Sequence, residues 1–227
     1  MCGFLLSCLS RLALSLVKNW RCSLATGGWR SRRRPLSLEG YGAASSSTRI
    51  QPKKSCSHQS WKMRLSDIPA GATVFVDANV PLASILEEQR AGVAEAFLLR
   101  MESREIVAAT STVVLGEMFH RLLLAETCNL LRVPSHIAVR HLKQQPSLFQ
   151  QLRECWALVN EFLELPLTVF PVDQGVFVDA LALSRKYQLL INDATHVALM
   201  AKQEIEFLAT FDHDLERVDF VTCCGLD

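Results

Sequence analysis

An alternation of apolar runs and helical patterns, from residue 73 onward, constrains the fold more than any other feature of this sequence. The run Thr73-Val74-Phe75-Val76 is continuously apolar and ends at Asp77. Continuous apolar runs are typical of strands that are buried on both faces of a sheet. Because helical patterns separate the runs, the sequence predicts an α/β fold with a parallel sheet covered by helices on both sides.

The pattern also predicts the bounds of the elements. Strands are expected over residues 73–77, 106–109, 167–171, 207–211 and 220–222. A helical pattern continues from Asn79, a candidate N-cap, to Leu98. Further helices are predicted after Thr110-Ser111-Thr112, from Pro134, over residues 147–165, from Asp173 to Arg185, and from Asp193.

Acidic residues stand where the apolar runs end or where the following helices begin. These residues are Asp77, Glu117, Asp193, Asp212 and Asp214. Ligands of open parallel sheets bind at the carboxyl ends of the strands, so these acids are expected to converge there. Like charges in one cleft repel each other unless a cation neutralises them. The set therefore predicts a site for a hard divalent ion, Mg²⁺ or Mn²⁺, which prefers oxygen ligands.

Each acid also has an ordinary structural explanation. Asp193 could cap or charge the first turn of a helix, and Asp212 with Asp214 could form a turn after a strand. Glu117 could be an exposed residue paired with Arg121. Asp77 is harder to explain in this way, because a carboxylate at the end of a fully apolar strand is costly without a partner.

Charge divides the chain of 227 residues into two unequal parts, although its net charge is only +1. Residues 1–66 contain twelve Lys and Arg residues and a single acid, whereas residues 67–227 carry a net charge of about −10. The sequence therefore predicts that residues 1–66 are a basic extension, disordered or spurious, and that residues 67–227 are the domain. Residues 4–17 are apolar but too short to span a membrane.

The extension has two further interpretations. Its basic, Ser-rich and acid-poor composition is typical of an organellar transit segment. Alternatively, translation could start at Met63, which would make residues 1–62 spurious. The prediction for location is accordingly cytoplasmic, or organellar if the extension is a genuine transit segment.

Four short motifs in this order resemble the PIN domain family, and most of all its VapC-type toxins. They are Val-Phe-Val-Asp77-Ala-Asn79, Leu-Gly-Glu117-Met, Ile-Asn-Asp193-Ala-Thr-His, and Leu-Ala-Thr210-Phe-Asp212-His-Asp214. The match covers residues 72–222. The resemblance implies a three-layer α/β/α sandwich with a mostly parallel central sheet.

The resemblance also implies Mg²⁺- or Mn²⁺-dependent endoribonuclease activity on RNA, with Asp77, Glu117, Asp193 and Asp212 as the metal-binding and catalytic acids. Asp214 corresponds to a second acid of the last motif. Asn79 and Thr210 correspond to polar residues that orient acids or water. A VapC-type protein would be the toxin of a type II toxin–antitoxin pair, with a homodimeric structure and a small antitoxin as partner. The roles of His196 and His213 stay open.

Two other functional classes fit part of the pattern. A Mg²⁺-dependent phosphotransfer fold, either phosphatase or receiver, would also place an acid after the first strand. The phosphatase pattern needs a second Asp at position 79, which is Asn, and the receiver needs a Lys after a late strand, near Phe220, where there is none. A non-catalytic PIN-like binding module would typically lack one or more of the acids.

Overall fold

The computed structural model describes residues 62–225, so the predictions for residues 1–61 lie outside the described part. Six parallel strands form one sheet in the order β1-β6-β5-β2-β3-β4. The strands are β1 (Lys62–Met63), β2 (Thr73–Val76), β3 (Val107–Ser111), β4 (Leu167–Phe170), β5 (Phe207–Ala209) and β6 (Thr222–Cys224).

Seven α-helices lie within the described residues. They are α1 (Asn79–Ile85), α2 (Ala91–Glu102), α3 (Thr112–Leu131), α4 (Ser135–Gln144), α5 (Glu154–Leu163), α6 (Gln174–Tyr187) and α7 (Ile191–Lys202). Three short 3₁₀ helices cover Leu65–Asp67, Pro146–Gln150 and His213–Arg217. No helix within residues 62–225 is long and apolar enough to cross a membrane.

The strand order places the helices on two faces. The chain moves from β2 to β3 to β4 in one direction, and right-handed crossovers put α1 to α5 on the same face of the sheet. It then returns from β4 to β5 in the opposite direction, which puts α6 and α7 on the other face. The predicted three-layer α/β/α sandwich is thus confirmed, and the chain reverses direction at the crevice between β2 and β5.

The central strand is buried because helices cover it on both sides. Val74, Phe75 and Val76 are all fully buried, as the continuous apolar run predicts. Two predicted helix caps are also present. The Ser111 side chain accepts a hydrogen bond from the Val114 backbone N–H at the start of α3, and Asp173 accepts one from Val176 at the start of α6.

The structure corrects three helix predictions. Asn79 is the first residue of α1 and caps nothing, since its side chain is turned toward Asp77 and Thr210. The pattern from Asn79 to Leu98 is two helices, α1 and α2, with a break between them. Residues 147–165 are a 3₁₀ turn followed by α5, and not one long helix.

The boundary predicted between residues 66 and 67 falls inside the folded unit. β1 pairs with β6 through Lys62 to Cys223 and Met63 to Cys224, ahead of that boundary. Leu65 is 1% exposed and belongs to the hydrophobic core. The Arg100 guanidinium also donates hydrogen bonds to the carbonyl oxygens of Leu65 and Ile68, at 2.6 and 2.5 Å. The domain therefore includes the segment from Lys62 onward.

We predict that Leu65→Ala lowers the free energy of unfolding by about 2–5 kcal/mol, because it removes a buried side chain and leaves a cavity. Leu190→Ala is the matched control, since Leu190 is 76% exposed and its truncation should change stability by no more than about 0.5 kcal/mol. Urea unfolding of both variants measures the difference. Equal, small effects would show that the segment before residue 67 is not part of the fold.

Candidate functional site

Asp77 lies at the carboxyl end of β2, in the crevice where the chain reverses direction. Its side chain is 7% exposed, and three donors surround its carboxylate. The Ala78 backbone N–H donates to Oδ1 at 2.6 Å, and Asn79 Nδ2 and Thr210 Oγ1 donate to Oδ2 at 2.7 and 2.8 Å. These hydrogen bonds offset much of the cost of burying the charge.

Asn79 and Thr210 join the end of β2 to the segment that follows β5. Asn79 Nδ2 lies 3.1 Å from Thr210 Oγ1, and Asn79 Oδ1 accepts a hydrogen bond from the Phe211 backbone N–H at 3.0 Å. Thr210 Oγ1 accepts one from the Asp212 backbone N–H at 3.0 Å. The two predicted supporting residues therefore hold Asp77 and the backbone of Asp212 in one network.

Asp212 and Asp214 occupy the turn after β5, and their environments differ. Asp212 is half-buried and its Oδ1 caps the 3₁₀ helix by accepting the Asp214 backbone N–H at 2.8 Å. Asp214 is exposed and forms an ion pair with Arg217 at 2.5 Å. The turn explanation for this pair is therefore correct for their backbone, while the Asp212 carboxylate remains close enough to influence Asp77.

Asp193 lies in the first turn of α7, where the negative charges of the other four acids act on its carboxyl. Burial raises the pKa of its carboxyl, and the negative charges of Asp212, Asp77, Glu117 and Asp214 raise it further, to about 6. Glu117, half-buried on α3, is close enough for its charge to act on Asp193. The structure brings all five predicted acids into one electrostatic neighbourhood, at the carboxyl ends of the strands.

The pKa of Asp77 is also raised, chiefly by burial and in a smaller part by the Asp212 charge, against the opposing effect of its hydrogen bonds. The smaller contributions, the charge of Asp212 on Asp77 and the charges of four acids on Asp193, are repulsions that a bound cation would relieve. The donor set consists of carboxylate oxygens, which suits Mg²⁺ or Mn²⁺. Within residues 62–225, however, no group of three His, Cys, Asp or Glu side chains is already arranged to hold a metal ion.

The two histidines near the motifs take different positions. His196 is buried in the core, with its ring centroid 5.6 Å from that of Phe75, and its Nδ1 has no hydrogen-bond partner among the described residues. Burial lowers the pKa of His196 to about 4, so the ring is neutral near pH 7. His213 is exposed and contacts Glu216 at 2.5 Å. Neither contacts one of the five acids through a hydrogen bond or ion pair in the described part.

Sequence reasoning did not identify three residues that support the site. Arg90 Nη1 donates to the Gly225 carbonyl at 3.0 Å, and the Arg90 guanidinium lies 5.0 Å from the centroid of the Phe211 ring. Gly225 has φ +108°, and a Cβ there would lie 2.8 Å from the Thr210 carbonyl oxygen. These contacts join residues 90, 211 and 225, which no local pattern could have brought together.

We predict that Asp193→Asn raises the free energy of unfolding in EDTA at about pH 7.5, and that this gain shrinks as the pH falls toward 4. Folding raises the pKa of Asp193 from 3.8 to about 6, so the charged form destabilises the native state above that pH, and the cost vanishes below the unfolded pKa. Urea unfolding of both proteins across this range tests it. His196, with its lowered pKa, acts in the opposite direction but cancels in the difference. A gain independent of pH would contradict the prediction.

Comparison with known proteins gives three findings. Ribonuclease VapC6 of Methanocaldococcus jannaschii is 23% identical over 162 residues, covering 66% of this chain and 95% of the relative. A crystal structure of VapC20 of Mycobacterium tuberculosis, described as a toxin that cleaves the sarcin-ricin loop, superimposes with a TM-score of 0.45 at 21% identity, covering 66% of this chain and 97% of that one. The PIN domain family model matches residues 74–221, which include all five acids, Asn79 and Thr210. The chain belongs to the PIN domain family.

Proposed function

We propose that this protein is a metal-dependent endoribonuclease that hydrolyses RNA phosphodiester bonds. The observation that carries the proposal is Asp77, a buried carboxylate at the carboxyl end of β2, with the charges of Asp212 and Asp193 acting close to it. Membership of the PIN domain family supports a nuclease, and a relative that the match covers to 95% of its length is named a ribonuclease. The buried, hydrogen-bonded Asp77 is the best-ordered member of the acid set.

The catalytic and metal-binding residues in this proposal are Asp77, Glu117, Asp193 and Asp212, with Asp214 as a further metal-binding acid. Asp77 is the central ligand and Asp193 the next, while Glu117 binds directly or through water. Mg²⁺ or Mn²⁺ held there would lower the pKa of a water molecule and neutralise charge on the phosphate.

The chain itself supplies orientation and charge. Asn79 and Thr210 hold Oδ2 of Asp77, and the Ala78 N–H holds Oδ1, so the carboxylate plane is fixed before any ligand arrives. Thr210 Oγ1 also receives the Asp212 N–H, which sets the start of the turn that presents Asp212. The acids approach from β2, α3, α7 and the turn after β5, so they surround the crevice from several sides.

The other two classes fit the structure less well. A phosphatase of the phosphotransfer type would need an acid at position 79, but Asn79 uses both its amide nitrogen and its oxygen to join Asp77, Thr210 and Phe211. A non-catalytic binding module would have no need for Asp193 to keep a charge that neighbouring acids oppose. The nuclease proposal uses these same features.

We further propose that the protein is the toxin of a type II toxin–antitoxin pair, cytoplasmic and homodimeric. The relative named VapC6 supports this assignment. Phe177, Val178 and Leu181 are exposed apolar residues on α6, which is the kind of surface that a second copy or a partner helix covers. An Arg or Lys side chain from an antitoxin would pair with the acids in the crevice and oppose metal binding.

We predict that purified protein cleaves RNA in the presence of Mn²⁺ or Mg²⁺, and that EDTA, Asp193→Asn or Asp212→Asn each reduces the rate at least about a hundredfold. Asp77→Asn should also inactivate, but its new amide would face the Asn79 amide donor and cost stability. Gel analysis of a defined RNA measures cleavage. Asp179→Asn removes a half-buried carboxylate on α6 that lies outside this set of acids; it is the matched control and should retain activity.

The same variants test the metal site without reference to activity. Mn²⁺ at about a hundred times its Kd should stabilise the wild-type protein by about 2.7 kcal/mol. Asp193→Asn should lose most of this stabilisation, whereas Asp179→Asn should keep it. A wild-type melting temperature unaffected by Mn²⁺ would argue against these acids as metal ligands.

For the toxin assignment, we expect growth arrest when the protein is produced in bacteria, and relief of the arrest by Asp193→Asn. Light scattering should give the mass of a dimer, and Leu181→Asp should shift it toward a monomer because a charge on the apolar face opposes burial. A harmless monomer that cleaves RNA in vitro would exclude the toxin role and leave the nuclease intact.

A further inference from the structure

Positive charge is concentrated in one stretch of an otherwise acidic domain. Residues 127–153 contain no Asp or Glu, but they contain four Lys and Arg residues and two His residues. The four cations, Arg132, Arg140, Lys143 and Arg153, are all exposed. Because residues 67–227 as a whole carry a net charge of about −10, this stretch is where a polyanion would meet the least repulsion.

Helix α4 arranges part of this charge into a ridge. Ala138 and Leu142 are buried, while His136, Arg140 and Lys143 are exposed at spacings of four and three residues. Residues at these spacings lie on one side of a helix, so the charges of Arg140 and Lys143 project together with His136 beside them. By contrast, Arg90 and Arg100 are engaged with backbone carbonyls elsewhere, and Arg121 lies 3.8 Å from Glu88.

Two exposed aromatic rings follow these cations closely in the sequence. Trp156 on α5 is 38% exposed and Phe149 is 40% exposed, with ring centroids 6.3 Å apart in an edge-to-face arrangement. Arg153 precedes Trp156 by one helical turn and is exposed as well. Half-exposed aromatic rings bordered by Arg and Lys are what proteins use to bind single-stranded nucleic acids, through stacking on bases and attraction to phosphates.

The rings are firmly positioned relative to α3, the helix that carries Glu117. Trp156 packs edge-to-face on Phe119, with centroids 5.6 Å apart. Glu126, also on α3, accepts hydrogen bonds from the backbone N–H groups of Arg153, Glu154 and Cys155, at 2.6, 3.1 and 2.9 Å. These bonds fix the N-terminus of α5 against α3, so the aromatic platform, formed by Phe149 and Trp156, has a constant distance from the acids.

A short route leads from the aromatic platform to Glu117. Phe119 is two residues from Glu117, about 3 Å along the helix axis but on the opposite flank of α3. Gly116 and His120 are exposed on the outer face between these flanks. A Cβ at Gly116 would meet no atom within 4 Å, so packing does not require glycine in this helix. The absence of a side chain leaves room for a strand to cross α3.

We propose that Phe149, Trp156, Arg153 and the ridge of Arg140 and Lys143 form a binding surface for single-stranded RNA, from which the substrate crosses α3 at Gly116 to reach the acids. This inference deepens the proposed ribonuclease function and rests on it. It accounts for how a protein domain with an acidic active site attracts RNA. Stacking on exposed rings does not read base sequence. This surface therefore determines how tightly the RNA binds and from which side it enters the crevice, and not the position of cleavage.

The test measures binding and cleavage separately. A fluorescently labelled, unstructured RNA of about 12 nucleotides, within the span of a typical single-strand site, is titrated with protein in Mg²⁺, in an Asp193→Asn background so that the probe stays intact. Trp156→Ala should weaken the Kd about tenfold, since one stacked base contributes about 1–3 kcal/mol. Arg140→Gln with Lys143→Gln should reduce the slope of log K against log salt by about 1.4, because each phosphate that a cation neutralises contributes about 0.7 on a single strand.

Matched controls separate this surface from general effects. Leu99→Ala removes an exposed apolar side chain on α2, and Arg104→Gln with Arg185→Gln removes two exposed charges away from α4; neither should change the Kd or the salt slope as much. In the active background, Trp156→Ala should raise KM several-fold with little change in kcat. Gly116→Gln should raise the melting temperature, because glycine disfavours helix, and yet raise KM.

The outcomes test the RNA-binding surface and the RNA-cleavage reaction separately. RNA cleavage that persists with unchanged Kd and KM in Trp156→Ala and in the Arg140/Lys143 variant would overturn the surface and leave the nuclease function standing. Weakened RNA binding in these variants, together with no cleavage by the wild type, would support the surface and remove the nuclease function. Loss of self-association in Trp156→Ala with unchanged RNA binding would assign the platform to a second copy of this chain and overturn the proposal.

Discussion

The burial of one carboxylate, Asp77, organises the crevice of this fold. An apolar strand that ends in a buried charge needs donors close by, and the chain provides them from the next residue, from Asn79 and from Thr210 beyond β5. Satisfying this charge therefore requires β2 and β5 to be neighbours in register. The Asp77 backbone N–H adds a bond to the Ala209 carbonyl at 3.1 Å. The burial of the Asp77 charge and the pairing of β2 with β5 therefore depend on each other.

At Asp193, unlike at Asp77, repulsion from neighbouring acids is not offset by hydrogen bonds among the described residues. Asp193 has no hydrogen bonds comparable with those of Asp77 within the described residues, and its neighbours oppose its ionisation. The protein keeps this unfavourable arrangement at the place where a cation would relieve it. Under the proposed function, stability and metal binding are thus in competition at Asp193, whereas they agree at Asp77. Such local conflicts are expected at functional sites, because a site that is fully satisfied by the protein has no affinity left for a ligand.

Strands, caps and acids are predictable because each depends on a few adjacent residues. The apolar run before Asp77, the cap at Ser111 and the cap at Asp173 all form as the pattern indicates. The capping prediction for Asn79 is wrong because its side chain bonds instead to Asp77, Thr210 and Phe211. Two of these partners lie more than 130 residues away in sequence, and a local capping preference cannot take them into account. The break within residues 147–165 depends on Glu126 of another helix, which caps α5 from outside. The two-residue strand β1 exists only because β6 offers an edge.

The pairing of β1 with β6 has a consequence for the order of events in folding. Lys62 and Met63 can pair with Cys223 and Cys224 only after those residues have been made. The newly made chain therefore has to close a loop that spans almost the whole domain. The carbonyl of the β6 residue Cys224 also accepts the backbone N–H of Thr210, the residue that holds Asp77. During synthesis, the acids therefore remain without their final support until β6 has been translated. The crevice of this fold therefore acquires its final geometry late, only when β6 is available for pairing.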